Sequence, residues 1–426
     1  MHWLKLASLA AALSVSHFAL AQDAPPPPAD GDEAPTFPFR GTPLGEGPWD
    51  FDTEMTKLHV EVVSRELETP WSLAFLPDGG MLVTERTGRL RIIRNGVLDP
   101  QPIAGLPDMF VSGLGGLMDI ALHPDFANNR LIYLSYSKPS PDAEPAAWPR
   151  SRSVLAVMRA KWDGGHQLTE VEDIFVADAW YGDMPLPPRC CGQGPAFGSY
   201  GGRIAFDQHG YLFVTSGDRN YGEMVQDPSN HFGKTLRLND DGTAPDDNPF
   251  VGWPGWKPEI WSLGHRNPLG LAFDPETGVL WSSEFGPRGG DELNIIARGA
   301  NYGWINVTQG HHYNGEEAKG IRGVASMTDP IFAFGPPSIN PGNVAVYRGE
   351  LFPGWKGDLF MPTMSRKLVR LEVFSGHVTA MEEMLGDLGQ RFRDVKVGPD
   401  GAIYILTDER DGALLKLTPG AAEEAE

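Results

Sequence analysis

The sequence predicts an all-β protein with the architecture of a six-bladed β-propeller. Glycine and proline supply 51 and 38 of the 426 residues, an excess that is typical of a turn-rich chain and argues against a helical bundle. Hydrophobic residues make up 41% and aromatic residues 10% of the chain, enough to bury a core and exclude wholesale disorder. A pair of short apolar strands joined by a turn recurs six times, which is the pattern of a repeat architecture.

The six copies of this hairpin differ in length but share the same order of apolar strand, turn and apolar strand. Turns such as Asp78-Gly79 and Asp400-Gly401 favour tight hairpin connections. The copies span residues 71–84, 118–134, 202–214, 271–281, 344–361 and 394–406. A two-sheet sandwich would not repeat one hairpin six times, whereas a propeller buries both faces of each blade against its neighbours. A propeller also predicts a ligand site in the loops at one end of its central channel.

The first residues have the features of a secretory signal. Lys5 precedes the apolar stretch 6–20, and Ala19-Leu20-Ala21 forms a small-x-small cleavage site. A membrane anchor would need about 20 apolar residues, and Ser8 and Ser14 interrupt this stretch. We therefore expect a secreted, periplasmic protein that does not insert stably into the membrane.

The remaining boundaries follow from composition. The predicted organisation is a signal peptide at 1–21, a Pro-rich acidic linker at 22–56, a propeller domain at 57–418 and an acidic tail at 419–426.

The formal net charge is −21, so the basic surface that nucleic-acid binding requires is absent. An acidic surface of this kind favours solubility and indicates no particular partner.

The chain has only two cysteines, and they are adjacent. Cys190 and Cys191 cannot form a Cys-x-x-Cys metal or redox site. An exported protein meets oxidising conditions, so the pair predicts either a vicinal disulfide or two free or intermolecular thiols.

Two arginine motifs are candidates for binding an anion. Arg266-Asn267 ends a loop just before an apolar strand, and Arg391-Phe392-Arg393 places two guanidinium groups on one face of an extended strand. Like charges on one face repel unless an anion or an acid lies between them. The alternative for the first motif is a surface arginine followed by a turn-forming Asn-Pro step.

The segment 284–294 combines clustered glycines with carboxylates, which are oxygen ligands of the kind that calcium prefers. It lacks the spacing of an EF-hand, and a solvated acidic turn is the alternative.

These motifs occur together, and in the same order, in one protein family. They are Leu122-His123-Pro124-Asp125-Phe126, Leu236-Arg237-Leu238, Gly264-His265-Arg266-Asn267-Pro268, Gly289-Gly290-Asp291-Glu292, Asn301-Tyr302-Gly303-Trp304 and Arg391-Phe392-Arg393-Asp394. On these strings the chain resembles the soluble aldose sugar dehydrogenases that depend on pyrroloquinoline quinone (PQQ), the glucose/sorbosone dehydrogenase family. The resemblance extends from Leu67 to Leu417 and implies a six-bladed propeller.

The resemblance also implies a cofactor and a chemistry. It assigns PQQ binding to Arg266, Asn267, Arg391 and Arg393. It assigns one calcium ion to Gly286 and Pro287 and a second to Glu292 and Tyr302. The implied reaction is oxidation of a small sugar at its anomeric carbon to a lactone, with the electrons passed to an external acceptor.

Three polar positions of the family are changed in this chain. Leu114 stands where the family has a glutamine, Ser199 where it has the catalytic histidine, and Ser365 where it has a lysine. A serine has no usable pKa near neutrality, so the catalytic base is unknown; His312, beside His311, is a candidate substitute, and a solvent-exposed loop histidine is the alternative reading. Two hypotheses follow: a quinone-dependent sugar dehydrogenase with a base from elsewhere, or an altered propeller that binds another ligand or a protein partner without oxidising sugar.

Overall fold

The computed structural model describes residues 42–141, 153–180, 198–315, 320, 323 and 325–421. The predicted signal peptide, most of the predicted linker, residues 422–426 of the tail and both cysteines lie outside the described residues. Within those ranges the regular structure is almost entirely β. No helix there is long and apolar enough to cross a membrane.

The strands, in chain order, are β1 (Trp49–Asp52), β2 (Lys57–Leu67), β3 (Pro70–Phe75), β4 (Met81–Glu85), β5 (Arg89–Arg94), β6 (Val97–Leu98), β7 (Leu117–Leu122), β8 (Leu131–Pro139), β9 (Ser153–Lys161), β10 (Thr169–Val176), β11 (Gly201–Phe206), β12 (Leu212–Ser216), β13 (Lys234–Leu238), β14 (Ile260–Leu263), β15 (Ala272–Phe273), β16 (Leu280–Glu284), β17 (Asp291–Ile295), β18 (Phe332–Phe334), β19 (Ala345–Val346), β20 (Leu359–Pro362), β21 (Leu368–Phe374), β22 (His377–Met384), β23 (Phe392–Val397), β24 (Ile403–Thr407) and β25 (Gly412–Pro419). One short helix, α1 (Phe126–Asn129), and three 3-10 turns, Gly222–Met224, Pro353–Trp355 and Gly386–Leu388, complete the elements.

These strands form six antiparallel sheets arranged as the blades of a propeller. Blades one to five are β3–β6, β7–β10, β11–β14, β15–β18 and β19–β22, and blade six combines β23–β25 with β2 and β1. The inner strands β3, β7, β11, β15, β19 and β23 contact one another in turn around the ring. Each predicted hairpin is the inner pair of strands of one blade, so the prediction of a six-bladed propeller is confirmed.

The ring closes by pairing the two ends of the folded chain in blade six. β2 lies between β1 and β25, with Val60 opposite Leu417. The outermost strand, β1, falls inside the segment predicted as linker, so regular structure begins before residue 57. Its sequence alternates, and Trp49 and Phe51 pack against the core cluster of blade six, which explains how a polar, Pro-rich segment ends in a strand.

A buried arginine lies at the centre of the ring. Arg203, at the start of blade three, is fully buried, and its guanidinium is 3.3 Å from the Asp119 carboxylate and 3.0 Å from that of Asp394. It also lies 4.0 Å above the Trp71 ring and donates to the Leu269 carbonyl. Asp119 and Trp71 belong to blades two and one, and Asp394 to blade six, so this cluster ties together four blades.

We predict that Arg203→Met lowers the free energy of unfolding by about 3–5 kcal/mol, because Asp119 and Asp394 would remain as buried, unpaired carboxylates. Urea unfolding of the purified protein measures the change. The exposed pair Lys356–Glu350 provides the control, since Lys356→Met should cost less than about 1 kcal/mol. Equal, small losses for both variants would contradict a central role for Arg203.

Candidate functional site

One end of the propeller axis holds a cavity to which all six blades contribute. The segment entering each inner strand supplies one lining residue: Thr69, Leu114, Ser199, Asn267, Asn340 and Arg391. The main chamber has a volume of about 410 Å³, and a narrow extension of about 20 Å³ leads from it toward Ser199. Arg86, Leu114, Leu269 and Arg393 line both parts. A cavity therefore lies at the place where the sequence predicts a ligand site, in the loops at one end of the channel.

The predicted pair Arg391 and Arg393 does share one face, and an acid lies between the two side chains. The Asp408 carboxylate accepts bonds of 2.8 Å from each guanidinium, through Oδ2 from Arg391 and Oδ1 from Arg393. Although burial opposes ionisation, the charges of Arg393, Arg391 and Arg86 hold the pKa of Asp408 well below its usual range. Burial lowers the pKa of Arg393 to about 10, which leaves it charged at neutral pH.

Arg266 and Asn267 lie beside the chamber and serve different purposes. Asn267 lines the narrow extension next to Ser199, and its side-chain oxygen accepts a bond from the Gly201 amide. Arg266 is buried and does not line either cavity; its guanidinium donates to the Phe285 and Gly286 carbonyls at 3.1 and 2.7 Å. The two neighbours are thus close together, but only Asn267 faces the cavity.

Glu284, at the end of β16, fixes the loop that carries Arg266. One carboxylate oxygen accepts the Arg266 amide at 2.5 Å, and the other lies 2.9 Å from Nδ1 of His265. The His265 ring is stacked on Tyr302, and its Nε2 is 2.9 Å from the Ser262 hydroxyl. This serine, histidine and glutamate set is fully buried and positions the loop rather than meeting a substrate.

Asp291 holds the Gly286–Pro287 loop in place. Its carboxylate accepts the Gly286 amide at 2.9 Å and the Ile339 and Asn340 amides at 2.7 and 3.0 Å. Burial raises its pKa. A side chain at Gly286 would stand 2.3 Å from the carbonyls of Gly289 and Gly290, so only glycine fits there. Asp291 therefore links the predicted calcium loop to Asn340 in the cavity wall.

Glu292 and Tyr302 are predicted to belong to a second calcium site. Glu292 lies in β17, next to Asp291, and Tyr302 lies in the loop after β17. Glu292 is opposite Glu284 in the sheet, and burial, followed by the Glu284 charge, raises its pKa well above the usual value. The Tyr302 hydroxyl is occupied by the main chain, since it accepts the Ala297 amide and donates to the Ile295 carbonyl.

The oxygen donors in this region suit a hard cation. Two facing carboxylates repel each other, and the side-chain oxygen of Asn294, next to Glu292, is buried without a hydrogen-bond partner among the described residues. In those same ranges no cluster of three or more His, Cys, Asp or Glu side chains could hold a metal. A calcium ion here would depend on carbonyl and amide oxygens together with Glu292, which is a donor set that calcium accepts.

Among the residues that the structure describes, which exclude 181–197 just before Ser199, none of the ordinary bases lines the cavity beside Ser199. The Ser199 hydroxyl donates to the Asn220 side chain at 3.3 Å, and the narrow extension has no His, Asp, Glu or Lys in its lining. His312 lines neither cavity: it is buried and stacked on Trp304, whereas His311 is exposed. Ser365 also lies outside the lining, although its neighbour Met364 is part of it.

Sequence reasoning missed Arg86 and Asp408. It included Asp291 in the calcium-type segment 284–294 but did not predict its bonds to the Ile339 and Asn340 amides. Arg86 directly follows β4, and Asp408 directly follows β24. The second strand of a blade runs antiparallel to the inner strand, so it ends where the inner strand begins. A charged residue just after the second strand of each hairpin was therefore an available signal. Asp291 had no comparable signal, because its role depends on contacts with residues almost fifty positions away.

Comparison with known proteins agrees with this architecture. The profile of the "Glucose / Sorbosone dehydrogenase" family matches residues 67–416. The chain belongs to the glucose/sorbosone dehydrogenase family. It is 40% identical over 368 residues to the aldose sugar dehydrogenase YliI of Escherichia coli, covering 85% of this chain and 93% of that protein.

Solved structures of family members have the same fold. The apo form of the soluble aldose sugar dehydrogenase from Escherichia coli is 40% identical, with a TM-score of 0.77 over 85% of this chain and all of that chain. The PQQ-bound aldose sugar dehydrogenase from Streptomyces coelicolor is 28% identical, with a TM-score of 0.65 over 85% of this chain and 98% of that one.

We predict that Asp408→Asn destabilises the protein by about 3–5 kcal/mol at pH 7, because two buried guanidinium groups lose their shared carboxylate. The folded-state pKa of Asp408 is depressed, so its contribution is present above the unfolded value of about 3.9 and is lost as the pH falls below it. Urea unfolding between pH 3 and 7 should show the wild-type advantage shrinking below about pH 4. The exposed Asp387 is the control, and a D387N variant that loses as much stability would contradict the assignment.

Proposed function

We propose that this protein is a PQQ- and calcium-dependent dehydrogenase that oxidises aldose sugars at the anomeric carbon to lactones and passes the electrons to an external acceptor. One observation carries the proposal: four arginines line the cavity on the propeller axis, with only two carboxylates, Asp408 and Glu68, and Glu68 is paired with Arg89. The four arginines are Arg86, Arg391, Arg393 and Arg410. An uncompensated positive charge in a half-enclosed chamber favours a multiply anionic ligand. The family membership and the PQQ-bound relative point to the same ligand.

The lining of the chamber fits PQQ, a planar quinone with three carboxylates. The guanidinium groups are suited to carboxylates, and Leu269, Phe285 and Met364 provide apolar contacts for a flat ring system. The chamber volume of about 410 Å³ is in the range of small-molecule sites. When bound, the quinone supplies the hydride acceptor. Asn267 and Arg393, which both line the narrow extension, would contact the part of the quinone nearest to it.

Calcium fits the loop beside the chamber. Gly286 presents its carbonyl toward the Arg266 guanidinium, and Pro287 follows it in a loop that Asp291 holds rigidly. We infer that Gly286 and Pro287 offer carbonyl oxygens to one calcium ion and that Glu292 and Tyr302 belong to a second. Export to the periplasm, by the predicted signal at residues 1–21, would place the protein where sugars and an electron acceptor are accessible.

The site lacks an evident base for removing the substrate proton among the described residues that line it. Oxidation of the anomeric carbon requires a base for the hydroxyl proton. The polar groups that line the narrow extension with Ser199, among the described residues, are Tyr200, Asn267, Arg86 and Arg393. Asp408 is held ionised by two arginines, which makes it a poor base. This observation favours a second candidate function, a propeller that binds the quinone or another anion without oxidising sugar.

Restoring the base tests the proposal directly. We expect Ser199→His to raise the rate of PQQ-dependent glucose oxidation by about 100-fold or more, the usual contribution of a positioned base. The gain should disappear below pH about 6.5, where the imidazole is protonated. Dye reduction with glucose, PQQ and CaCl2 between pH 5 and 9 measures it.

Ser199→Ala is the matched control for this variant, since it removes the hydroxyl without adding a base and should show no gain. If wild-type protein given PQQ and CaCl2 shows no change in quinone absorbance and no aldose-dependent dye reduction, it is not a quinone-dependent dehydrogenase. A wild type that changes the quinone absorbance but stays inactive, with an active Ser199→His variant, would support the second candidate.

A calcium site at Glu292 predicts stabilisation by the ion. Adding CaCl2 should raise the melting temperature of the wild-type protein. At a free calcium concentration a hundred times the dissociation constant, the free energy of unfolding should rise by about 2.7 kcal/mol. Glu292→Gln should lose most of this gain, whereas the exposed Glu61 should be replaceable by Gln without effect. Thermal unfolding with and without CaCl2, after treatment with EGTA, measures the difference. Equal calcium shifts in wild type and both variants would place the ion elsewhere.

A further inference from the structure

Four arginines line the chamber, and one of them, Arg410, is exposed. Of the other three, Arg86 is the one whose side chain has no hydrogen bond or ion pair to any part of the chain that the structure describes. Its guanidinium lines both the main chamber and the narrow extension toward Ser199. Arg391 and Arg393, by contrast, each direct two guanidinium nitrogens to Asp408. The Asp408 carboxylate is therefore already shared by two partners.

The backbone of Arg86 is held in a fixed position. Its amide donates to the Thr69 carbonyl at 3.1 Å. Its own carbonyl lies so close to Gly116 that a Cβ there would stand 1.8 Å away, and Gly116 has φ of +144°. Since only glycine allows this approach, Gly116, just before the first strand of blade two, packs directly against the Arg86 backbone. The backbone of Arg86 is therefore fixed, and its side chain lines both cavities.

The charges around Arg86 are unbalanced. Two lining residues, Glu68 and Arg410, are exposed, and Glu68 is paired with Arg89. Deeper in the chamber, three guanidinium groups, those of Arg86, Arg391 and Arg393, accompany the carboxylate of Asp408. Burial lowers the pKa of Arg86, an effect that the Asp408 charge opposes and the Arg391 charge reinforces. The guanidinium groups outnumber the carboxylates there, and an anion that entered the chamber would relieve their repulsion. Arg86 is the one of these three arginines whose guanidinium makes no bond within the described residues, and the neighbouring Thr87 and Ser112 hydroxyls, which lack a partner there, are neutral donors.

We propose that Arg86 binds a carboxylate of PQQ and is the principal anion-binding residue of the chamber. The role of Arg391 and Arg393 is then chiefly to hold Asp408 and to set the positive potential. Leu114, beside Arg86, gives this part of the wall no competing polar group. The inference rests on the proposed function, since it names the protein group that the cofactor meets.

Titration calorimetry of full-length, cofactor-free protein with PQQ in CaCl2 tests the proposal. Arg86→Met should weaken binding about 10- to 100-fold, the range of a lost hydrogen bond to a charged group, and Arg86→Lys should recover part of it. The control is Arg94→Met, which removes the same charge from an exposed position on the next strand, and it should change the dissociation constant by less than about twofold.

A second readout separates binding from a structural role. Because Arg86 makes no hydrogen bond or ion pair within the described residues, and because its attraction to Asp408 is opposed by burial and by repulsion from Arg391, Arg86→Met should leave the melting temperature of the cofactor-free protein nearly unchanged. A structural arginine would instead lower it. Unchanged PQQ affinity in Arg86→Met, with a wild type that binds PQQ, would overturn the inference and leave the proposed function intact.

A second probe, benzene-1,3,5-tricarboxylate, covers the case in which wild type does not bind PQQ. Binding of this tricarboxylate to wild type, and its loss in Arg86→Met, would show that the anion site stands although the proposed function fails. If the tricarboxylate does not bind, or binds both proteins equally, the role of Arg86 is overturned as well.

Discussion

The propeller depends on the ion cluster around Arg203, which lies where four of the six blades meet. A buried guanidinium is costly to desolvate, and only well-placed carboxylates and hydrogen bonds offset that cost. Asp119 and Asp394 provide the charge, the Leu269 carbonyl provides a further acceptor, and Trp71 covers one face of the group. Because these partners come from separate blades, the cluster is satisfied only when the ring has closed.

The same cluster forms the floor of the functional site. Trp71 and Leu269 line the narrow extension of the cavity, and Arg203 also donates to the Arg393 carbonyl. The sign of the charge then reverses along the axis. In the cluster, Arg203 lies between the carboxylates of Asp119 and Asp394. In the chamber, below the exposed Glu68 and Arg410, the carboxylate of Asp408 lies among three arginines. An anion attracted into the chamber would therefore stop above the floor, where its charge is still compensated.

Binding and catalysis are separable in this architecture. The groups proposed to hold a cofactor, Arg86, Asn267, Arg391 and Arg393, lie at or near strand ends that the blade framework fixes. The position where the family resemblance places the catalytic base is a single loop residue, Ser199, which lies outside the strands. A propeller of this family can thus keep its cavity and its charge and still lose the group that acts as base.

The sequence by itself determined the fold, because each blade repeats a local hairpin whose apolar strands and Asp-Gly turns are visible without tertiary information. It also located Arg391 and Arg393 on one face, since that depends only on the alternation of side chains along a strand. It did not identify Asp408 between them or the availability of Arg86, because both come from strand ends that are distant in the chain and meet only at the axis. The tertiary structure alone decided which arginines are already bonded within the protein and which one still has donors for a ligand.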